Sequence, residues 1–173
     1  MLRFSAPPHP RRGCAHQVDV PARLTDCSSL PRVDYADAFL TDARAHPDWT
    51  AQRWARAVLE EAPPATRAEL LAGWSALGLR STESASSVLG WSIRRQSAES
   101  VLLARDSRIG MPGELLFSLR PDGLFFATFV HHRWWATRAV WSVVQRSHVR
   151  TVLGLLDRAA RATGPAAATG QRW

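Results

Sequence analysis

Four apolar segments joined by very short connections lie in the middle of the chain, and they restrict its fold more than any other feature. The segments are residues 89–97, 100–110, 114–120 and 124–132. Two of the connections have turn chemistry, GMPG at 110–113 and PDG at 121–123. Connections this short leave no room for the crossover that parallel strands need. The sequence therefore predicts an antiparallel meander.

The residues before these segments change from a strand pattern to a helix pattern. Residues 33–40 alternate in the manner of a strand. Apolar residues then recur at helical spacing in Thr50–Ala62 and again in Ala65–Leu79, with two prolines between the runs. Residues 80–87 are small and polar, which is typical of a loop. We therefore expect one strand and two short helices before the meander.

A long amphipathic helix is predicted over Ala136–Ala162. Because the last two strand segments are apolar at successive positions, both faces of the sheet must be covered, and this helix would cover one of them. The predicted fold is an α+β domain at residues 31–162, in which a curved antiparallel sheet of about five strands packs against the long helix. Residues 1–30 are predicted to be a disordered or loosely docked tail, and residues 163–173 a flexible one.

The high content of basic residues is only weak evidence for a nucleic-acid partner. The net charge is +7, and the 22 basic residues are all Arg, which is typical of codon bias in a GC-rich genome. These residues are spread along the chain, and Arg11–Arg12 and Arg94–Arg95 are the adjacent pairs. A nucleic-acid binder usually concentrates its charge and interleaves it with stacking aromatic residues. We therefore disfavour nucleic acid, and keep binding to an anionic surface or nucleic acid through Arg as an alternative.

Metal, redox and membrane chemistry are not indicated. Cys14 and Cys27 are the two cysteines, and two thiols do not make a structural zinc site by themselves. The sequence has no stretch of 18 or more apolar residues, and its first residues lack the apolar core of a secretory signal. We expect a cytoplasmic protein without a metal, a cofactor or a membrane-spanning segment.

Histidines are the first candidates for chemistry, since imidazole ligates metals and transfers protons near neutral pH. His131 and His132 are adjacent on a strand, so they point to opposite faces and do not chelate one ion side by side. His148 on the last helix is a further candidate neighbour of His132, but the sequence offers no third ligand. The sequence favours histidines at a strand end and on a helix surface over a metal site.

Carboxylates are the second candidates, because a pair held close in a pocket can act as acid and base. Asp34 and Asp37 fall in the first strand, and Asp106 falls at the end of a meander strand. Glu114 is expected to pair with Arg108 across the hairpin, which is a structural role. The sequence contains no nucleophile elbow, phosphate loop or dinucleotide fingerprint.

Aromatic residues are the candidates for a ligand site, since a sheet that grips a helix naturally encloses an apolar cavity. The residues assigned to the ligand wall are Trp91, Phe117, Phe126 and Trp141, with Arg95 and Arg105 placed by strand alternation to orient a carboxylate or carbonyl group. The adjacent Trp134 and Trp135 cannot both face one core stripe. At least one of them is expected at a pocket mouth, a homodimer contact or a membrane-facing edge.

Six segments within residues 33 to 162 resemble a bacterial family of domains of unknown function. They are VDYADAF, WARAVLEEAPPATRAELLAGWSALGL, VLGWSIRR, SRIGMPGELLFSL, LFFATFV and RAVWSVVQRSHVRTVLGLLDRA. Their order resembles the helix-grip fold of the START-like and polyketide cyclase (SRPBCC) superfamily. The resemblance implies an apolar cavity between sheet and C-terminal helix, and it permits cyclase or dehydrase activity. Since the full helix-grip sheet commonly has six or seven strands, a sheet of five implies a small cavity or none.

The leading hypothesis is a binding domain, rather than an enzyme, that holds a small apolar or aromatic ligand between the sheet and the last helix. One alternative is an enzyme of the cyclase/dehydrase type in which Asp106 or His131 transfers protons. Another is a protein-interaction domain whose core is filled by its own side chains, with Trp134 and Trp135 at the contact.

Overall fold

The computed structural model describes residues 14–21, 23–43, 46–82, 84 and 86–162. Its strands are β1 (His16–Val18), β2 (Tyr35–Thr41), β3 (Ser87–Val88), β4 (Trp91–Gln96), β5 (Ser100–Arg105), β6 (Gly113–Arg120) and β7 (Gly123–Val130). Its helices are α1 (Ala51–Leu59), α2 (Pro64–Ala76) and α3 (Trp135–Ala162), and a 3-10 helix spans Leu24–Cys27. The predicted tails fall partly outside the described residues, at 1–13 and 163–173.

The strands form one curved antiparallel sheet in the order β1-β2-β7-β6-β5-β4-β3. The prediction of an α+β fold with such a sheet and a C-terminal helix is confirmed. The prediction of about five strands is wrong, because the described part of the chain forms a seven-stranded sheet. The additional strands are β1, of three residues, and β3, of two. Segments this short have no alternation from which a strand can be recognised.

The two helices that follow β2 begin and end at residues that suit helix termini. Thr50 caps α1, and its hydroxyl accepts a hydrogen bond of 3.2 Å from the Arg53 N–H. Pro64 occupies the first turn of α2, where a residue without an N–H is tolerated. The prolines therefore stop one helix and start the next.

The β6–β7 turn packs closely on the end of β2. Gly123 has a φ of +144°, and a Cβ at this position would come within 2.2 Å of the Thr41 carbonyl oxygen. Only glycine fits such an approach. The contact brings β2 beside β7, so that Asp37 of β2 pairs with Thr128 of β7.

Both faces of the sheet are covered, as the apolar strands require. The helix-facing face packs against α1 and α3 through a core that includes Trp54, Phe117, Phe126 and Leu156. On the outer face, Leu24 and Leu30 from the N-terminal segment pack against residues such as Phe125 and Phe129. The helix-facing face is the one that can hold a site between sheet and helices.

A buried carboxylate fastens the N-terminal segment to the outer face. Glu114 is 1% exposed. It accepts a hydrogen bond of 2.6 Å from the Ser28 hydroxyl and one of 3.0 Å from the Ser29 N–H. Ser28 and Ser29 thus hydrogen-bond to the Glu114 carboxylate, which we expected to pair with Arg108. Two parts of the predicted 1–30 tail therefore contact the sheet: residues 16–18, which form β1, and residues 24–30, which pack on the outer face.

Candidate functional site between the second helix, the last helix and the sheet

α2 is the least buried helix of the structure. None of its residues is fully buried, whereas α1 buries most of its residues. Between α2 and α3 lies an open cavity of about 300 Å³, which we call the outer cavity. Its lining comes from one face of each helix and from the residue that follows α2: Thr66, Glu69, Leu70, Gly73, Trp74 and Ala76 from α2, Leu77 directly after it, and Trp141, Val144, Ser147, His148 and Thr151 from α3. The cavity exists because α2 stands away from the core.

Two smaller chambers of about 50 Å³ each lie between the outer cavity and the sheet. The first, which we call the core chamber, reaches Phe126 and Leu115 on the helix-facing face. The second, which we call the indole chamber, has three tryptophans in its lining. They are Trp74, Trp91 and Trp141. Trp74 and His148 line all three spaces, so the three spaces adjoin one another at these side chains.

A polar cluster lies where the three spaces meet. Asp37 Oδ2 accepts a hydrogen bond of 2.8 Å from the Tyr35 hydroxyl and lies 3.2 Å from His148 Nε2. The same nitrogen of His148 lies 3.2 Å from the Thr128 hydroxyl. The Asp37 side chain is 1% exposed. Burial, the charge of Asp37 and their hydrogen bond raise the pKa of Tyr35 well above its ordinary value.

Three buried polar atoms around this cluster have no hydrogen-bond partner among the described residues. They are Asp37 Oδ1, Trp91 Nε1 and Trp141 Nε1. An unpartnered buried donor or acceptor costs about 1–3 kcal/mol, so native proteins rarely leave three in one place. Such groups are typical of sites that receive water or a ligand.

The aromatic residues predicted for the ligand wall are partly brought together. Trp91 and Trp141 line the indole chamber, and Phe126 lines the core chamber. Phe117 is fully buried, and its ring packs edge-on against Phe126 at 4.9 Å. Phe117 therefore supports the wall from behind and does not line these spaces.

Arg105 is placed beside the site, but its guanidinium is occupied by the main chain. Its Nε donates a hydrogen bond of 3.0 Å to the Gly90 carbonyl, and Nη2 donates to the Leu89 carbonyl. The group lies 4.6 Å from the Trp74 ring and 5.2 Å from the Trp91 ring, and burial lowers the pKa of Arg105 to about 10. The structure thus shows Arg105 fixing the β3–β4 turn and the two indole rings.

Arg95 lies on the opposite side of the sheet from the cavity. Strand alternation places it with Trp91 and Ile93, but a bulge between Ile93 and Arg95 shifts the register. Arg95 consequently pairs with Leu102 of the outer face and donates a hydrogen bond to the Cys27 carbonyl. One extra residue in the strand moves the guanidinium to the other face.

The two predicted catalytic residues lie outside the lining of the three spaces. Asp106 is exposed, accepts a hydrogen bond from the Ser107 N–H and lies 3.8 Å from Arg133. His131 Nδ1 lies 2.9 Å from Asp34 Oδ2. Each side chain is therefore used in a local contact at the sheet end, and the structure does not bring either to the cavity.

Asp34 is the centre of a separate polar cluster that joins β2, β7 and α3. The His132 N–H donates to Asp34 at 2.9 Å, and Arg32 and Arg138 lie within 3.0 Å of its other oxygen. Burial alone would raise the pKa of Asp34, but the hydrogen bonds from His132, His131 and Arg32 outweigh it and lower the pKa well below its ordinary value. Burial also lowers the pKa of the His132 imidazole. This cluster is structural.

Trp134 and Trp135 are both exposed, by 65% and 85%. The Trp134 ring covers Gly110, where a Cβ would come within 2.7 Å of the indole. Neither ring lines the outer cavity or its two chambers. The homodimer contact at this pair stays a prediction.

Sequence analysis did not predict that Asp37 and His148 lie together in one cluster. His148 interrupts an apolar stripe of α3, since Val144 precedes it by four residues and Val152 follows by four. Asp37 likewise stands between Tyr35 and Phe39 on one face of β2. A polar residue in a position that the pattern reserves for an apolar one is the signal that identifies both.

Comparison with protein-family models, with curated proteins and with solved structures finds no match. Within the described residues no three His, Cys, Asp or Glu side chains are grouped as ligands of a metal ion. None of the described helices is long and apolar enough to cross a membrane. The site's own geometry is therefore the basis for any functional proposal.

Proposed function

We propose that the protein binds a small apolar or aromatic molecule in the outer cavity, as helix-grip domains of the START-like type do. The observation that carries the proposal is the cavity of about 300 Å³ between α2 and α3, lined mainly by apolar groups. Small-molecule sites in proteins start at about this size and have mostly apolar walls with a few polar groups. A ligand of one to two rings suits the volume.

The order of elements supports the helix-grip part of the proposal. A strand at the sheet interior, two helices, a run of antiparallel strands and a long final helix follow one another as β2, α1, α2, β3 to β7 and α3. Seven strands also remove the objection that the sheet is too short to enclose a cavity.

α2 supports the binding role because it leaves apolar side chains of the cavity wall partly exposed. Its side chains toward the cavity, Leu70, Trp74 and Leu77, are only partly buried. Apolar surface left in water is unfavourable, and a ligand that covers these side chains recovers that free energy. Binding and closure of α2 are thus expected to occur together.

The experiment that tests the proposal fills the cavity from a position that has room for a side chain. Gly73 lies in the middle of the cavity-lining face of α2, and a Cβ there meets no atom within 4 Å. Gly73→Leu places an isobutyl group in the outer cavity. It also stabilises the helix by about 0.5–1 kcal/mol, since glycine is a poor helix former.

Gly154→Leu is the matched control. Gly154 is exposed in α3, has the same open surroundings and does not line the outer cavity. Both variants should gain similar stability in urea unfolding. In a fluorescence titration with 1-anilinonaphthalene-8-sulfonate, Gly73→Leu should lose at least tenfold in affinity and Gly154→Leu should match the native protein. Equal affinity in both variants contradicts binding in this cavity.

Native mass spectrometry of the purified protein complements the titration. A small molecule that is retained by the native protein, and absent from Gly73→Leu, identifies the ligand class directly. Retention of the same molecule by Gly73→Leu places its site elsewhere.

A further inference from the structure

We infer that the ligand carries a hydroxyl group, which enters the indole chamber and hydrogen-bonds to His148 and to Trp141. This inference rests on the proposed binding function and names the chemical class of ligand that the same site selects. It follows from the unpartnered polar atoms and from the direction of the hydrogen bonds in the Asp37 cluster.

The hydrogen bonds assign the proton on the His148 ring. A carboxylate only accepts hydrogen bonds, so the proton in the 3.2 Å contact between Asp37 Oδ2 and His148 Nε2 belongs to the histidine nitrogen. In a neutral imidazole the other nitrogen, Nδ1, then has a lone pair and accepts. Among the described residues Nε2 is the ring nitrogen of His148 that has a partner.

A buried donor belongs to the aromatic ring that neighbours His148. The rings of Trp141 and His148 are 5.2 Å apart, and both residues line the indole chamber and the outer cavity. Trp141 is 6% exposed, and its indole N–H has no partner among the described residues. An indole nitrogen only donates. The pair therefore presents one acceptor and one donor.

A hydroxyl group is the smallest organic group that satisfies both, since it donates one hydrogen bond and accepts others. The indole chamber has a volume of about 50 Å³, which admits such a group and excludes a ring. Trp91 also lines this chamber, and its buried indole N–H is a second donor without a partner among the described residues. The ring of the ligand remains in the outer cavity.

A carbonyl or ether oxygen would satisfy the two indole donors but not the imidazole. A hydrocarbon would satisfy none of them and would leave the polar atoms buried without partners. For ligands of equal size, we therefore expect the affinity to fall in the order hydroxyl, ether, hydrocarbon.

Three naphthalene derivatives of similar size test this order. They are 2-naphthol, 2-methoxynaphthalene and 2-methylnaphthalene. In a ligand-observed NMR titration of the full chain, we expect 2-naphthol to bind about tenfold more tightly than 2-methylnaphthalene, as one or two net hydrogen bonds predict. The methoxy compound should fall between them. Equal affinity of the three compounds overturns the inference while leaving the apolar cavity intact.

Trp141→Phe tests the assigned donor because it removes the N–H and keeps an aromatic ring. The variant should lose about three- to tenfold in affinity for 2-naphthol and change less than twofold for 2-methylnaphthalene. Trp135→Phe makes the same substitution at a ring that is 85% exposed on the same helix, and should change neither affinity. An equal loss for both compounds in Trp141→Phe overturns the hydrogen bond. Failure of all three compounds to bind the native protein overturns the binding function itself.

Discussion

Asp34→Ala is predicted to destabilise the fold far more than removal of the arginines that surround this carboxylate. Two of the four groups that contact Asp34 are poorly exposed donors on the chain after β7: the His132 N–H and the His131 ring nitrogen, each at 2.9 Å. The other two are the guanidinium groups of Arg32 and Arg138, whose side chains are 61% and 66% exposed. The contacts are therefore of two kinds, with different energies.

Exposed ion pairs contribute about 0.2–1 kcal/mol each, because water already solvates both charges. A buried donor that loses its acceptor costs about 1–3 kcal/mol. Asp34→Ala should accordingly lower the free energy of unfolding by about 2–5 kcal/mol, whereas Arg32→Ala and Arg138→Ala should each lower it by less than about 1 kcal/mol. Domains of this size are stable by only about 5–15 kcal/mol, so the first effect is large.

Urea unfolding followed by circular dichroism and tryptophan fluorescence at neutral pH measures all three variants. Asp122→Ala, at an exposed turn, is the matched control and should change stability by about 0.5 kcal/mol or less. If the two arginine variants together lose as much as Asp34→Ala, ion pairing holds this corner and the argument from buried donors is refuted.

Three further predictions follow from the same structure. Folding lowers the pKa of Asp34 from a reference value of 3.8, so its contribution to the free energy of unfolding is present above that pH and is lost as the pH falls below it. The stability difference between the native protein and Asp34→Ala should therefore shrink in acid. Arg105→Lys should cost about 1–2 kcal/mol in urea unfolding, because one ammonium cannot hold the Gly90 and Leu89 carbonyls and stack on two indoles. Backbone amides of α2 should exchange with solvent faster than those of α3, and slow down when 2-naphthol is bound; unchanged exchange argues against a moving wall.

The meander could be predicted from sequence because its information is local. Each strand has its own apolar run, and the turns at 110–113 and 121–123 contain the glycine and proline that such turns need. The edge strands β1 and β3 lack this information, since they are defined by pairing with β2 and β4 rather than by their own composition. Local patterns therefore predict the centre of the sheet better than its edges.

The site could be predicted only in part, because two of its determinants are not local. The side on which Arg95 lies depends on a bulge that adds one residue to β4, and no turn residue marks it. The pairing of Asp37 with His148 depends on how α3 crosses β2, which the pattern of neither element contains. Trp91, Phe126 and Trp141 do line the two chambers, because an apolar wall tolerates several aromatic residues at similar positions, and their role in ligand binding stays a prediction.

The Asp37 cluster differs from the Asp34 cluster in a way that supports the proposed binding site. The Asp34 side chain is 5% exposed, both of its oxygens have partners, and it holds three elements together. Asp37 is more deeply buried, and its Oδ1 has no hydrogen-bond partner among the described residues. Apolar residues at positions 37 and 148 would continue the stripes of β2 and α3 and avoid that cost. A chain under selection for stability alone has no reason to keep the polar pair, whereas a chain that must hold a hydroxyl group at the end of an apolar cavity does.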